Sequence, residues 1–123
     1  MAWSGDIVQL QLDNKHLKWN LPKDGGDIWT DNMLIPKGGN VYTASTYMNF
    51  VYDPKIAAEI ADYVNYICPV AGARAVLLKK DPAIAKNTLI FPTKEMLDNT
   101  HIIDANALNN EKYQTTWQNL VSA

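Results

Sequence analysis

Trp29 and Asp31 stand two residues apart in the run Ile28-Trp29-Thr30-Asp31, an indole next to a carboxylate. In a strand, residues at i and i+2 project from the same side, so the two side chains would face together. That pairing suits a cationic ligand. The carboxylate accepts charge-assisted hydrogen bonds from an ammonium group. The ring face attracts the same cation and packs on its methylenes, worth about 0.5–2 kcal/mol per ring depending on desolvation. A small diamine would need several such contacts, with carboxylates at both ends. Spacing alone leaves other readings open: Trp29 as core, Asp31 as a turn cap or lysine partner. Trp3 carries the same ambiguity, a second aromatic wall or a core residue. Trp19, in an apolar-leaning strand, and Trp117, on a helical apolar stripe, read as packing residues.

Catalytic chemistry finds little support. His16 and His101 each lack a Cys, Asp or Glu at metal-ligand spacing, and both fall in polar, turn-like stretches. No Gly-x-Ser-x-Gly elbow, phosphate loop or His-Glu-x-x-His motif occurs. Cys68 is the single cysteine, before Pro69, and reads as a small buried apolar residue. The expectation is a protein that is not an enzyme, with no cofactor and no metal. A formal net charge of −2 and the lack of any basic cluster argue against a nucleic-acid partner.

The elements that would hold these residues are mostly helices. A helix is expected from Ser4, as cap, to about Asp13, with Asp6 favouring its positive terminus. Strands are expected at Leu17 to Leu21 and Ile28 to Ile35, separated by the turn Lys23-Asp24-Gly25-Gly26. Ala44, Tyr47, Met48 and Val51 follow one helical face. Asp53-Pro54 restarts a helix carrying Ala57, Ile60, Ala61 and Val64. Short helices follow at Ala73 to Leu78, Pro82 to Asn87 with Asp81 capping, and Thr93 to Leu97, then a long one from Ala107 to Val121. Two or three early strands among so many helices make an α/β chain whose sheet is incomplete. Such a sheet exposes a pairing edge, so a rival reading has the chain associate with itself, by dimerising or exchanging elements, or with a missing half.

An ordered series of segments resembles a known family. It runs from Ala2-Trp3-Ser4-Gly5-Asp6 through Leu17-Lys18-Trp19, Pro22-Lys23-Asp24-Gly25-Gly26 and Trp29-Thr30-Asp31-Asn32-Met33. It continues with Ile35-Pro36-Lys37-Gly38, Met48-Asn49-Phe50-Val51-Tyr52-Asp53-Pro54, Ala57-Ala58 and Tyr63-Val64-Asn65-Tyr66. The series looks like the C-terminal third of the spermidine/putrescine-binding proteins of ABC importers, well over residues 2–92 and loosely beyond.

The resemblance implies a fragment of a two-lobe, type II periplasmic binding protein fold. Residues 1–20 would form the crossover and end of the second lobe, and residues 21–123 the C-terminal part of the first. Trp3, Trp29 and Asp31 match family positions that wall the polyamine or bind an amino group. The family's Trp-Gln pair before the last helix is replaced by Ile102-Ile103-Asp104, which puts that contact and the preferred ligand length in doubt. The implied ligand is putrescine or spermidine in the intact protein, the implied partner an ABC transporter permease. The location would be periplasmic, or extracellular and membrane-anchored, with a signal segment outside this chain. The alternatives are another small organic cation or an amino-acid derivative on the same fold, or a truncated fragment that binds nothing and self-associates.

Overall fold

A computed structural model describes residues 2–122, and its centre is a small helical core. Helices α2 (Val41–Val51), α3 (Pro54–Val64), α4 (Ala73–Lys80) and α5 (Pro82–Lys86) follow one another through the middle of the chain. Leu77 and Ile90 are fully buried, packed with Ala57, Ala58, Ala61, Ala73 and Ala85. The alanines matter for geometry: side chains of one methyl let helix backbones approach closely around the two large residues. Arg74 crosses from α4 to donate from Nε to the Ala85 carbonyl at 3.0 Å. Cys68 packs half-buried against this cluster, as its apolar neighbours suggested.

Several helices start where a short polar side chain can accept from the free N–H groups of the first turn. Asp53 accepts from Lys55 N at 2.8 Å, with Pro54 at the first position of α3. Asp81 accepts from Ala83 N and Ile84 N at the head of α5. Asn40 caps α2 through Thr43 N, and Thr93 caps α6 (Lys94–Asp98) through Met96 N. The expected faces are only partly buried. On α3, Ala57 and Ala61 are inside while Ile60 stays open; on α2, no residue is fully buried and Tyr47 is 61% exposed.

Helix α1 (Ser4–Asp13) begins as expected, but Trp3 occupies the cap position, Ser4 lies inside the helix, and no side chain caps it. Its first turn docks on the end of α3. That helix stops at Asn65, whose left-handed backbone (φ 59°) turns the chain so that Tyr66 reaches α1. Tyr66 lies flat on Gly5, where any Cβ would run into the ring, and its hydroxyl donates to the Asp6 carboxylate. Gln9 Nε2 adds a hydrogen bond to the Val64 carbonyl at 3.0 Å.

The strands differ from expectation. Neither Leu17–Leu21 nor Ile28–Ile35 forms one. The only ladder among the described residues is β1 (Gly26–Asp27), parallel to β2 (Thr100–His101), with Gly26 opposite Thr100. His101 is therefore a strand residue rather than a turn residue, while His16 does sit in a turn, its N–H bonded to Asn14 Oδ1. Gly25 (φ +96°) passes over the His101 ring, and a Cβ there would stand 3.0 Å from the Asn99 carbonyl. The physical reason for the missing strands is plain: an extended run becomes a strand only beside a partner, and beyond Ile28 N–H, bonded to the His101 carbonyl, no backbone pairs with these runs among the described residues. The long last helix is also two: α7 (Ala105–Leu108) and α8 (Glu111–Val121), split where Asn110 caps α8 through Lys112 N. The stripe on α8 faces solvent, with Trp117 60% exposed, so Trp117 is not a packing residue in this chain.

Three outcomes follow for stability, each read by urea or pH titration of circular dichroism. Leu77→Ala should cost about 2–5 kcal/mol, since it empties the middle of the core. Asp53→Ala should cost about 0.5–2 kcal/mol through the lost cap. The bond to Asp6, and then burial, raise the Tyr66 hydroxyl above its ordinary value of 10.0. The folded state thus holds this proton more tightly than the unfolded chain. Its contribution is full below about pH 10 and fades as pH rises from there towards the raised folded value. Tyr66→Phe should flatten that alkaline loss of stability; an unchanged alkaline profile would mean that the hydroxyl is not held.

Candidate ligand-binding site

Trp3 and Trp29 meet edge to face, with ring centroids 4.3 Å apart and planes at 63°. Distant in sequence, they form one aromatic corner. Each keeps almost half its surface open, 42% for Trp3 and 47% for Trp29. A buried core pair would leave no such faces; here both rings can still receive a ligand.

Two anchors hold the corner. Trp3 precedes α1 in extended conformation, and α1 is fixed by the Gly5–Tyr66 contact described above. Trp19 supports the same point: its Nε1 donates to the Ala2 carbonyl at 3.4 Å. Trp19 is half-buried, in line with a packing role, although no strand surrounds it. Trp29 follows directly after Ile28, whose N–H closes the β1–β2 ladder on His101. The corner is thus placed by helix docking on one side and by the parallel ladder on the other.

Asp31 lies two residues past Trp29 in the same irregular segment. It is exposed and makes no hydrogen bond or ion pair among the described residues. The neighbouring backbone is turned by Asn32, whose Nδ2 donates to the Thr30 carbonyl. Strand alternation therefore does not hold Trp29 and Asp31 on one face; what fixes Trp29 is its contact with Trp3. Asp31 is a carboxylate left free for an external partner.

A second acidic group was read in the sequence only as a helix-terminus charge. Asp6 lies three residues after Trp3, one helical turn along, which puts it near the same helix end. It accepts from the Tyr66 hydroxyl. The Trp-x-x-Asp spacing was a visible signal; Tyr66, distant in sequence, was not. By contrast, the replacement segment Ile102-Ile103-Asp104 offers nothing similar. Ile102 is 77% exposed, and Asp104 is taken up as the cap of α7, accepting from Asn106 N. No group of three or more metal-binding side chains converges among the described residues.

The chain matches the family described as bacterial extracellular solute-binding protein over residues 1–100. It is similar to the spermidine/putrescine-binding periplasmic protein of Salmonella typhimurium, 29% identical over 93% of this chain and 33% of that protein. The Escherichia coli protein of the same name is 28% identical over 80% of this chain and 28% of its own length. The putrescine-binding periplasmic protein SpuD of Pseudomonas aeruginosa is 35% identical over 79% of this chain and 28% of its own length. No solved structure matches the chain. The chain thus spans about a third of the curated relatives it matches, all named for binding rather than for a reaction. With four-fifths of its length inside one family's pattern, it belongs to the bacterial extracellular solute-binding proteins.

Proposed function

We propose that this chain supplies one wall of a polyamine-binding cleft in a solute-binding protein that feeds an ABC importer. The observation that carries the reading is the half-open Trp3–Trp29 corner with the unpartnered Asp31 carboxylate following it. Two ring faces and a free carboxylate match an alkyl chain ending in ammonium groups, and they match an anion less well. The relatives' names point the same way.

In this reading the intact protein has two lobes of the type II periplasmic binding fold. Residues 1–20 form the crossover and the end of the second lobe, and residues 21–123 complete the first. Ligand bridges the lobes and shifts the population towards a closed form, which the membrane permease recognises. The protein works in the periplasm, or outside the cell on a membrane anchor. Asp31 takes one ammonium, Trp3 and Trp29 enclose the methylenes, and Asp6 adds negative potential at the same helix end. Carboxylates for the far ammonium come from the rest of the protein, so the isolated chain holds a polyamine weakly.

Calorimetry with putrescine and spermidine on the full-length protein carrying this segment tests the reading. Trp29→Ala or Asp31→Asn should weaken binding by about tenfold or more, the loss of roughly 1.4 kcal/mol or more of contact. Unchanged affinity would remove these residues from the site. A thermal-shift panel that favours another organic cation or an amino-acid derivative over both polyamines would keep the fold and change the ligand.

A further inference from the structure

Trp29 follows a stretch of chain that has little order of its own. The turn leading to it contains Gly25 and Gly26, and glycine leaves a free turn many backbone conformations. The ladder after the turn is two residues long, too short to hold itself. Asn99 supplies what both lack. It closes α6, with its N–H bonded to the Met96 carbonyl at 3.2 Å, and its neighbour Thr100 donates from Oγ1 to the Leu97 carbonyl at 2.7 Å. From this fixed base Asn99 grips the turn at both ends. Its Nδ2 donates to the Pro22 carbonyl at 3.0 Å, across 77 residues of sequence. Its own carbonyl accepts from the Gly26 N–H at 3.2 Å. Gly25 N–H also donates to the Pro22 carbonyl, at 3.1 Å, so both lone pairs of that oxygen are used in closing the turn. Ile28 N–H then reaches the His101 carbonyl at 3.0 Å, and Trp29 comes next.

We propose that Asn99 is a positioning residue for the candidate binding corner: by clamping the turn at 22–26 it sets Trp29 against Trp3, and it acts on ligand only through that ring. Trp3 and Trp29 meet edge to face with both rings almost half open, so neither is held by burial. Such a ring pair and one hydrogen bond are of similar strength. The pair alone therefore does not hold a turn that samples many conformations. A ring fixed beforehand spares the ligand the cost of ordering it, which is how preorganised sites gain affinity. The effect of Asn99 on ligand rests on the polyamine reading; its effect on the ring pair does not.

The test uses the full-length protein carrying this segment, with Asn99→Ala and with Asn99→Asp, which keeps the size of the side chain and loses the donor. Coupled indoles give a paired band in far-ultraviolet circular dichroism, isolated here as the difference between the protein and its Trp29→Phe variant. Both Asn99 variants should lose most of that band and bind putrescine about three- to tenfold more weakly by calorimetry. Asn40→Ala, which removes the cap of α2, measures a purely structural effect: it should lower the urea midpoint and keep both the band and the affinity. A full band in both Asn99 variants would overturn the inference, and so would a band lost equally in Asn40→Ala. Trp29→Ala with unchanged putrescine affinity would instead remove the polyamine reading, and the band alone would then decide the role of Asn99.

Discussion

The contact between Tyr66 and the first turn of α1 ties the two halves of the described chain together. It depends on two backbone conditions at once. Asn65 must turn left-handed to end α3, and residue 5 must lack a Cβ to admit the ring. Glycine meets the second condition without steric cost. Asn65 meets the first because a short amide tolerates that conformation and bonds locally, here from Nδ2 to the Asp62 carbonyl. With Tyr66 seated, its hydroxyl finds Asp6, Gln9 finds Val64, and Trp3 is held against Trp29. The aromatic corner is downstream of that contact.

How much of this could be read in the chain itself follows from the range of each interaction. Caps are local, and the Asp53-Pro54 and Asp81-Pro82 signals gave their helices correctly because donor and acceptor lie within three residues. Strands are not local. The runs Leu17–Leu21 and Ile28–Ile35 have strand-like composition but no neighbour to pair with, and composition cannot supply one. The long C-terminal stripe was read as one helix because periodicity ignores Asn109-Asn110, where a second cap is as good as continuation. Trp3 and Trp29 were chosen as chemically suitable residues, but their mutual contact is tertiary. The charge of Asp6 has a local explanation at a helix N-terminus, so that charge does not make its place beside Trp3 legible.

The same distinction explains how so few elements place the aromatic corner. The corner needs only α1, the end of α3 and a two-residue ladder to be placed. Tight capture of a doubly charged ligand needs more: both ends neutralised and water excluded from both ring faces. With rings almost half open and a carboxylate unpartnered among the described residues, the corner meets neither requirement by itself.

Helix α8 shows what an uncovered apolar stripe means for a helix of this length. It has eleven residues, packs mainly on α7, and turns its aromatic stripe outward. A helix of that length is marginal in water by itself, so its order is borrowed from whatever covers it. Time spent uncovered is time available to proteases and to aggregation. Fast turnover of its backbone amides with solvent is the expected mark of an order that the helix does not supply for itself.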